Sequence, residues 1–134
     1  MIIRQRITIV SVRKPVRPSL NDELQWLGSS LGLFGERDKD KSCFRVFLEL
    51  LKATKLGVPI SSDDIARNLA LTRGTAVHHL NHLMASGIVV QDGRRYWLRQ
   101  SDLGLLITDL KRDVERQLDD LSAAAKEIDE WMER

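Results

Sequence analysis

The chain has 134 residues, of which 43% are hydrophobic, and this suffices for one domain with a core and an additional helical arm. Its formal net charge of +2 is only mildly basic, so a case for nucleic-acid binding depends on where the charges lie. A single cysteine excludes an internal disulfide framework and a cysteine-rich zinc site. No apolar run reaches the roughly 18 residues of a membrane span, and arginine interrupts the start of the chain. We therefore expect no membrane partner and a cytoplasmic location.

The charged residues are unevenly distributed. Residues 1–20 contain five basic side chains and no acidic one, whereas nine of the 19 acidic residues follow residue 108. This distribution suits a DNA-facing side and an opposite side that is solvated or forms a dimer. The alternative is that these charges only keep the surface hydrated.

Residues 2–12 are rich in isoleucine, valine and threonine, which predicts a β-strand. Residues 14–18 read KPVRP and predict a linker, since each proline fixes its own backbone and lacks an amide donor. The basic strand and linker could form an arm that contacts DNA. The alternative is an edge strand that pairs with a partner subunit or lies loose.

Two helices are predicted before residue 56. The first begins after Ser19, with Asp22 at the capping-box position, and a polar loop follows over residues 35–41. The second covers residues 42–55, contains Cys43 as a small core residue or half-exposed thiol, and precedes a possible short strand at residues 58–60. Trp26 lies off the apolar stripe of the first helix and could sit in an interface. The expected buried faces are Leu20, Leu24, Leu27 and Leu31, and Phe44, Phe47, Leu48 and Leu51.

Residues 60–99 predict a helix, a tight turn, a second helix and a β-hairpin. Ser61 and Ser62 are suitable N-caps of the first helix and Thr72 of the second, and Gly87 tolerates the left-handed conformation that ends a helix. Apolar runs at residues 88–90 and 96–98 flank Asp92-Gly93, a two-residue hairpin signal. The residues expected in the core are Ile65, Leu69, Ala76, Leu80 and Leu83.

Residues 71–90, LTRGTAVHHLNHLMASGIVV, resemble the winged helix-turn-helix of ArsR and MarR-like bacterial and archaeal regulators. These families share a small-residue turn, a polar recognition helix with adjacent basic or histidine positions, and a glycine followed by aliphatic residues. The resemblance extends over about residues 43–99. It implies a mainly α fold with a small β-wing. We accordingly expect an N-terminal strand and helix extension over 1–40, a winged helix-turn-helix domain over 41–100, and a long C-terminal dimerisation helix over 101–134.

The resemblance implies binding to double-stranded DNA. The recognition helix, residues 73–86, would enter the major groove, and the wing, residues 88–99, would contact the backbone or minor groove. Arg73 can contact guanine, Gly74 lets the backbone approach, and the arginines at the wing tip would reach phosphates. The candidate DNA-binding residues are Thr72, Arg73, Gly74, Thr75, His78, His79, Asn81, Arg94 and Arg95.

Ser101 and Asp102 can cap a last helix that runs to near residue 134. Its apolar residues recur every seven positions and form a coiled-coil-like seam. One domain has little surface left to cover such a face, so we expect a homodimer; the alternative is a helix that packs on its own chain. The candidate dimerisation residues are Ile107, Leu110, Val114, Leu118, Leu121, Ile128 and Trp131.

His78 and His82 have a spacing that can hold zinc, but no acid or thiol lies near in sequence, so we expect no metal site and no cofactor. No nucleophile–base pair or cofactor motif predicts an enzyme. The sequence names no effector. We therefore expect a homodimeric, sequence-specific DNA-binding transcriptional regulator. The alternative is a winged-helix protein-interaction module or assembly subunit without DNA binding.

Overall fold

The structure is a computed structural model that describes residues 4–16, 19–34 and 40–134. Within these residues the chain is mainly helical, with a small three-stranded antiparallel sheet and a long C-terminal helix. No described helix has both the length and the apolar character needed to cross a bilayer. The elements in chain order are α1 (Leu20–Ser30), α2 (Ser42–Lys55), β1 (Ile60–Ser61), α3 (Ser62–Leu69), α4 (Arg73–Ala85), β2 (Val89–Asp92), β3 (Arg95–Leu98) and α5 (Leu103–Met132).

Side chains at the predicted positions cap the starts of the helices. The hydroxyl of Ser19 accepts a hydrogen bond from the backbone of Asp22, whose carboxylate bonds back to Ser19 and completes a capping box. At the starts of α3, α4 and α5, the side chains of Ser61, Thr72 and Asp102 each accept one hydrogen bond from the backbone N–H three residues later. Each cap satisfies a backbone N–H that the helix itself leaves unpaired. The predicted starts of these four helices are confirmed.

The end of α4 is fixed by a glycine in the left-handed conformation. Gly87 has φ +87°, and its N–H donates to the carbonyl oxygen of Met84 at 3.0 Å. The N–H of Ile88 donates to the carbonyl oxygen of Leu83 at 3.0 Å. These two bonds satisfy carbonyls that the last turn leaves open. The predicted stop at Gly87 is confirmed, and the chain turns there directly into β2.

The sheet has the order β1-β3-β2. Asp92 pairs with Arg95, so the two-residue turn is Gly93-Arg94, and the prediction of Asp92-Gly93 as the turn was displaced by one residue. Gly93 has φ +62°, which suits the first central position of a tight hairpin turn. The short strand expected near residues 58–60 is present as β1, one position further along the chain.

The core is formed around α2, α3 and α4. Phe44 and Phe47 are buried as predicted, but Leu48 and Leu51 only pack against the core, because α2 turns Val46 and Leu50 inward instead. In α1 the leucines from position 24 onward pack against the core, whereas Leu20 is exposed, contrary to the predicted stripe. The remaining large side chains that are almost completely buried are Leu33, Ile65, Leu80, Leu83, Ile88, Val89 and Leu106.

The predicted N-terminal strand is wrong within the described residues. Residues 4–16, here called the N-terminal strap, contain no strand and no helix. The strap is held by single backbone bonds to helix ends: Arg6 N donates to Ala85 O at 2.9 Å, and Val10 N donates to Ser30 O at 2.7 Å. The described part of the strap pairs with no strand, and its Ile7 and Ile9 instead lie beside residues of α1 and α5. Residues 2, 3, 17, 18 and 35–39, which belong to the predicted strand, linker and loop, lie outside the described part.

Candidate nucleic-acid interface

Helices α3 and α4 are joined by a three-residue turn. Ala70 has φ +55°, and the N–H of Leu71 donates to Ala66 O at 2.9 Å, which closes the end of α3 and reverses the chain into α4. One side of α4 is fully buried through Ala76, Leu80 and Leu83, as predicted. The opposite side is therefore presented to solvent, and it is mostly polar. The exposed residues of α4 and its N-cap are Thr72, Arg73, Gly74, His78, Asn81, His82 and Ala85.

The first turn of α4 is fastened by two threonines. Thr75 N–H donates to the hydroxyl of Thr72 at 3.1 Å, and the two hydroxyl oxygens are 2.8 Å apart in a second hydrogen bond. Thr75 is partly buried, whereas Thr72 is exposed. Gly74 lies between them, and a methyl group added there would meet no atom within 4 Å. Its backbone is therefore open to a ligand that approaches this end of the helix.

The exposed cation at the start of α4 is paired. The Nε of Arg73 lies 3.4 Å from Oδ1 of Asp63 on α3, and both side chains are exposed. A second ion pair joins Arg67 to Asp64 on the same helix. The Ser61 hydroxyl and, after it, the Arg67 guanidinium hold the pKa of Asp64 below its ordinary value. Acids and bases thus balance locally, and the surface around the start of α4 is close to neutral.

His79 does not lie on the polar face. A hydrogen bond of 2.6 Å joins its Nε2 to the hydroxyl of Ser42, a buried residue in the first turn of α2. Position 79 is three residues after Ala76 and four before Leu83, so the helical repeat directs it toward the core side. The expectation that His79 faces a DNA groove beside His78 is corrected. His78 itself is exposed, and no cluster of metal-ligating side chains occurs among the described residues.

The β-hairpin places two arginines at its tip. Arg94 occupies the second turn position and Arg95 opens β3, and both are exposed. Arg95 also donates from Nη1 to the carbonyl of Pro59 at 3.3 Å, which ties the tip to the residue before β1. Tyr96 and Leu98 of β3 are buried, so they anchor the hairpin on the core while its tip projects.

The candidate dimerisation residues fall into two groups. Leu110 is 5% exposed and belongs to the chain's own core, and Val114 is half-buried. The part of α5 up to Val114, here called its proximal part, therefore packs against the rest of the same chain. This corrects the expectation that Leu110 is available to a partner. Beyond Val114 every residue of α5 is exposed. This distal part carries Leu118, Leu121, Ile128, Trp131 and Met132 without cover in the chain.

A polar cluster that the sequence reasoning missed joins the strap, β3 and α5. Asp113 accepts hydrogen bonds from Arg99 at 2.6 Å and from the side-chain amide of Gln5 at 2.9 Å. Gln5 also donates to Ser86 O at 3.2 Å, and Arg99 lies 3.4 Å from Asp109. The available signal was the four-residue spacing of the two aspartates, which puts both on one face of α5. The cluster fastens the end of α4 to the start of α5.

Comparisons with protein-family models, with curated proteins and with solved structures give no match for this chain. A functional assignment therefore depends on the geometry of α4, of the hairpin and of the exposed part of α5. Of the residues predicted to bind DNA, the structure places all except His79 and the partly buried Thr75 at exposed positions.

Proposed function

We propose that this chain binds double-stranded DNA as a homodimeric transcriptional regulator. In this proposal α3 and α4 form a helix-turn-helix, the β2–β3 hairpin is its wing, and no catalysis, metal or cofactor takes part. The observation that carries the proposal is the two-sided character of α4, with Ala76, Leu80 and Leu83 fully buried and Arg73, His78 and Asn81 exposed opposite them. An α-helix with exposed donors and acceptors fits the major groove and can bond base edges there.

The hairpin supports the proposal through its charge and position. Arg94 and Arg95 lie at an exposed tip that follows α4 directly in the chain and shares the core with it. Arginines on a projecting hairpin are suited to phosphate oxygens, which hold a protein on DNA without reading its sequence. The proposal thus assigns base contacts to the start of α4 and backbone contacts to the hairpin.

A second candidate is a protein-interaction module that does not bind DNA. The observation in its favour is the near-neutral surface at the start of α4, where Arg73 is paired with Asp63 and Arg67 with Asp64. DNA-binding surfaces depend on cations for much of their affinity. Both arginines are well exposed to solvent, however, and ion pairs of exposed side chains contribute little to stability, so phosphates can compete for the arginines.

The homodimer is proposed from the distal part of α5. Leu118, Leu121, Ile128 and Trp131 are all more than half exposed on one helix, and Met132 extends the same patch. Contiguous exposed apolar surface of this kind marks an interaction site. Two recognition helices in one particle would also provide two half-site contacts, as DNA-binding dimers require.

The test begins with selection of bound sequences from a random duplex library. Fluorescence anisotropy then measures the affinity for the selected duplex and for a scrambled duplex across a salt series. We expect tighter binding to the selected duplex and affinity that falls with salt for both. The double variant Arg94→Ala with Arg95→Ala should weaken both duplexes similarly and reduce the salt slope by up to about 2.

The matched control is the double variant Arg112→Ala with Lys126→Ala, which removes two positive charges from α5 as the tested variant removes two from the hairpin. It should leave the salt slope unchanged, because neither residue lies on α4 or the hairpin. Absence of salt-dependent binding to any duplex would refute the DNA-binding proposal and favour the protein-interaction module.

A further inference from the structure

An apolar groove lies beside the proximal part of α5. It has a volume of about 370 Å³ and is open to solvent along its length. The strap forms one wall, which is held in place because Trp26 Nε1 donates to Val12 O at 2.9 Å. Its walls include Ile7 and Ile9 of the strap, Trp26 of α1 and Leu31 directly after it, and Ile107 and Val114 of α5.

The groove and the exposed part of α5 belong to one continuous apolar face. Ile107 and Val114 start a series with seven-residue spacing that continues through Leu121 and Ile128. The helix is uninterrupted over 30 residues, so its distal part leads away from its own groove. From Val114 to Met132 the helix rises by about 27 Å. The chain therefore cannot fill this groove with its own C-terminal part.

We propose that the groove receives the distal part of α5 from a second copy of the chain, so that the two α5 helices pack antiparallel. This inference rests on the homodimer of the proposed function and specifies its arrangement. Antiparallel packing covers the groove and the exposed distal face in a single symmetric contact. Such an interface is self-complementary, as a two-fold dimer requires.

Charge complementarity favours a second copy in this orientation. The strap, residues 4–16, carries four basic residues and no acidic one, and it borders the groove. Residues 115–134 carry seven acidic and three basic residues. Antiparallel packing brings this acidic segment to the basic strap of the other copy. Parallel packing would instead place each acidic residue beside the equivalent acidic residue of the second copy, where like charges repel.

The spacing of the apolar residues allows a consistent antiparallel register. With the two-fold axis near Asp119, Ile107 faces Trp131 of the second copy, and Val114 faces Ala124 of the second copy. Trp131 is 63% exposed in the single chain. It would become a buried aromatic anchor at the mouth of the groove, the kind of residue that dominates interface energies.

Disulfide trapping tests the orientation with small substitutions. Val114→Cys and Ala124→Cys are made separately, one of them carrying a mass tag, and are oxidised alone and as an equimolar mixture after subunit exchange. Antiparallel packing predicts disulfide-linked heterodimers in the mixture and none from either variant alone. Within one chain the two positions are about 15 Å apart along α5, too far for a disulfide. The unmodified chain, whose Cys43 is buried, is the oxidation control.

Disulfide-linked dimers from Ala124→Cys alone would indicate parallel helices and overturn the proposal. Absence of any cross-link, together with a monomer at micromolar concentration in sedimentation, would also overturn it.

A charge substitution tests the groove independently of the cross-links. Ile9 is 68% exposed at the groove, so Ile9→Glu should leave the fold intact while it places an acid where the acidic helix docks. We expect the dimer Kd to rise at least about tenfold, as for loss of one good interface contact. The matched control is Val16→Glu, which adds the same charge to the strap at a position that is 85% exposed and outside the groove.

The control should change the dimer Kd by less than about twofold, and equal effects of the two variants would refute docking in the groove. All of these measurements are made without DNA. Cross-links between Val114→Cys and Ala124→Cys without any DNA binding would therefore refute the proposed DNA binding and leave the antiparallel arrangement intact. DNA binding by a parallel dimer would refute the antiparallel arrangement and leave the proposed function intact.

Discussion

The guanidinium of Arg99 donates to both carboxylate oxygens of Asp113, at 2.6 and 3.4 Å, across the junction between β3 and α5. The Asp113 side chain is 9% exposed. Arg99, followed by Gln5, lowers the pKa of Asp113 below its ordinary value, while Asp113 raises the pKa of Arg99. The ionised pair is therefore part of the folded state, and it connects three segments that are distant in sequence.

Asp113→Asn should lower the free energy of unfolding by about 1–3 kcal/mol at pH 7, the range for a charge-assisted hydrogen bond that loses its charge. Because the folded-state pKa is depressed, this stabilisation is present above the ordinary pKa of aspartate. It is lost as the pH falls through the lower folded-state pKa. Urea unfolding from pH 7 downward should therefore show the difference shrinking in acid. Asp119→Asn, at an exposed position on the same helix, should show neither effect.

Gly87→Ala should destabilise the chain by at least about 1 kcal/mol, because a residue with a Cβ is strained at φ +87°. The added methyl group would also collide with the side-chain amide of Gln5. The matched control is Gly74→Ala, which lies in α4 with open space around it. That change should raise stability by up to about 1 kcal/mol through helix propensity. Thermal unfolding of both variants checks the contrast; equal shifts would contradict it.

His79→Ala should lower the free energy of unfolding by about 1 kcal/mol, because it removes the hydrogen bond to buried Ser42. His78→Ala, one position earlier and exposed, should stay within about 0.5 kcal/mol of the unmodified chain. On selected DNA the order should reverse, with the larger loss of affinity in His78→Ala. A loss of DNA affinity confined to His79→Ala would show that its side chain leaves Ser42 to reach DNA.

Arg73→Ala should weaken binding to the selected duplex by about 1–3 kcal/mol and spare the scrambled duplex, as expected for one base contact. Asp63→Asn should change the DNA affinity in the opposite direction. It removes the anion 3.4 Å from Arg73, and we expect affinity for both duplexes to rise by up to about 1 kcal/mol. Asp119→Asn again serves as the charge control. If Arg73→Ala and Asp63→Asn both leave anisotropy unchanged, α4 does not contact DNA.

The parts of the fold that local chemistry determines could be predicted from sequence. The caps at Ser19, Ser61, Thr72 and Asp102 each depend on residues within three positions, and the stop at Gly87 depends on one backbone angle. A short-range signal of this kind does not require knowledge of the tertiary structure. The hairpin was located for the same reason, although its turn was displaced by one residue.

The remainder depends on contacts between distant residues. The strap has the composition of a strand, but its backbone hydrogen bonds go to Ala85 and Ser30 at helix ends and not to a strand. Composition indicates β-forming residues without indicating which partner their backbone will bond. The helical spacing of His79 from Ala76 and Leu83 predicts a position on the core side of α4, whereas the family resemblance implies a groove-facing position that the structure does not show.

Because α5 is uninterrupted over 30 residues, its length would set the distance between the two copies in the proposed dimer. Each residue added to an α-helix advances it by about 1.5 Å and rotates it by about 100°. In the proposed dimer, inserting seven residues in the exposed part would keep nearly the same face toward the second copy and move the two α4 helices apart by about 10 Å. Inserting two residues would rotate the apolar side chains out of contact. If the chain binds DNA as proposed, the length of one helix would set the spacing between two half-sites while the residues of α4 stay unchanged.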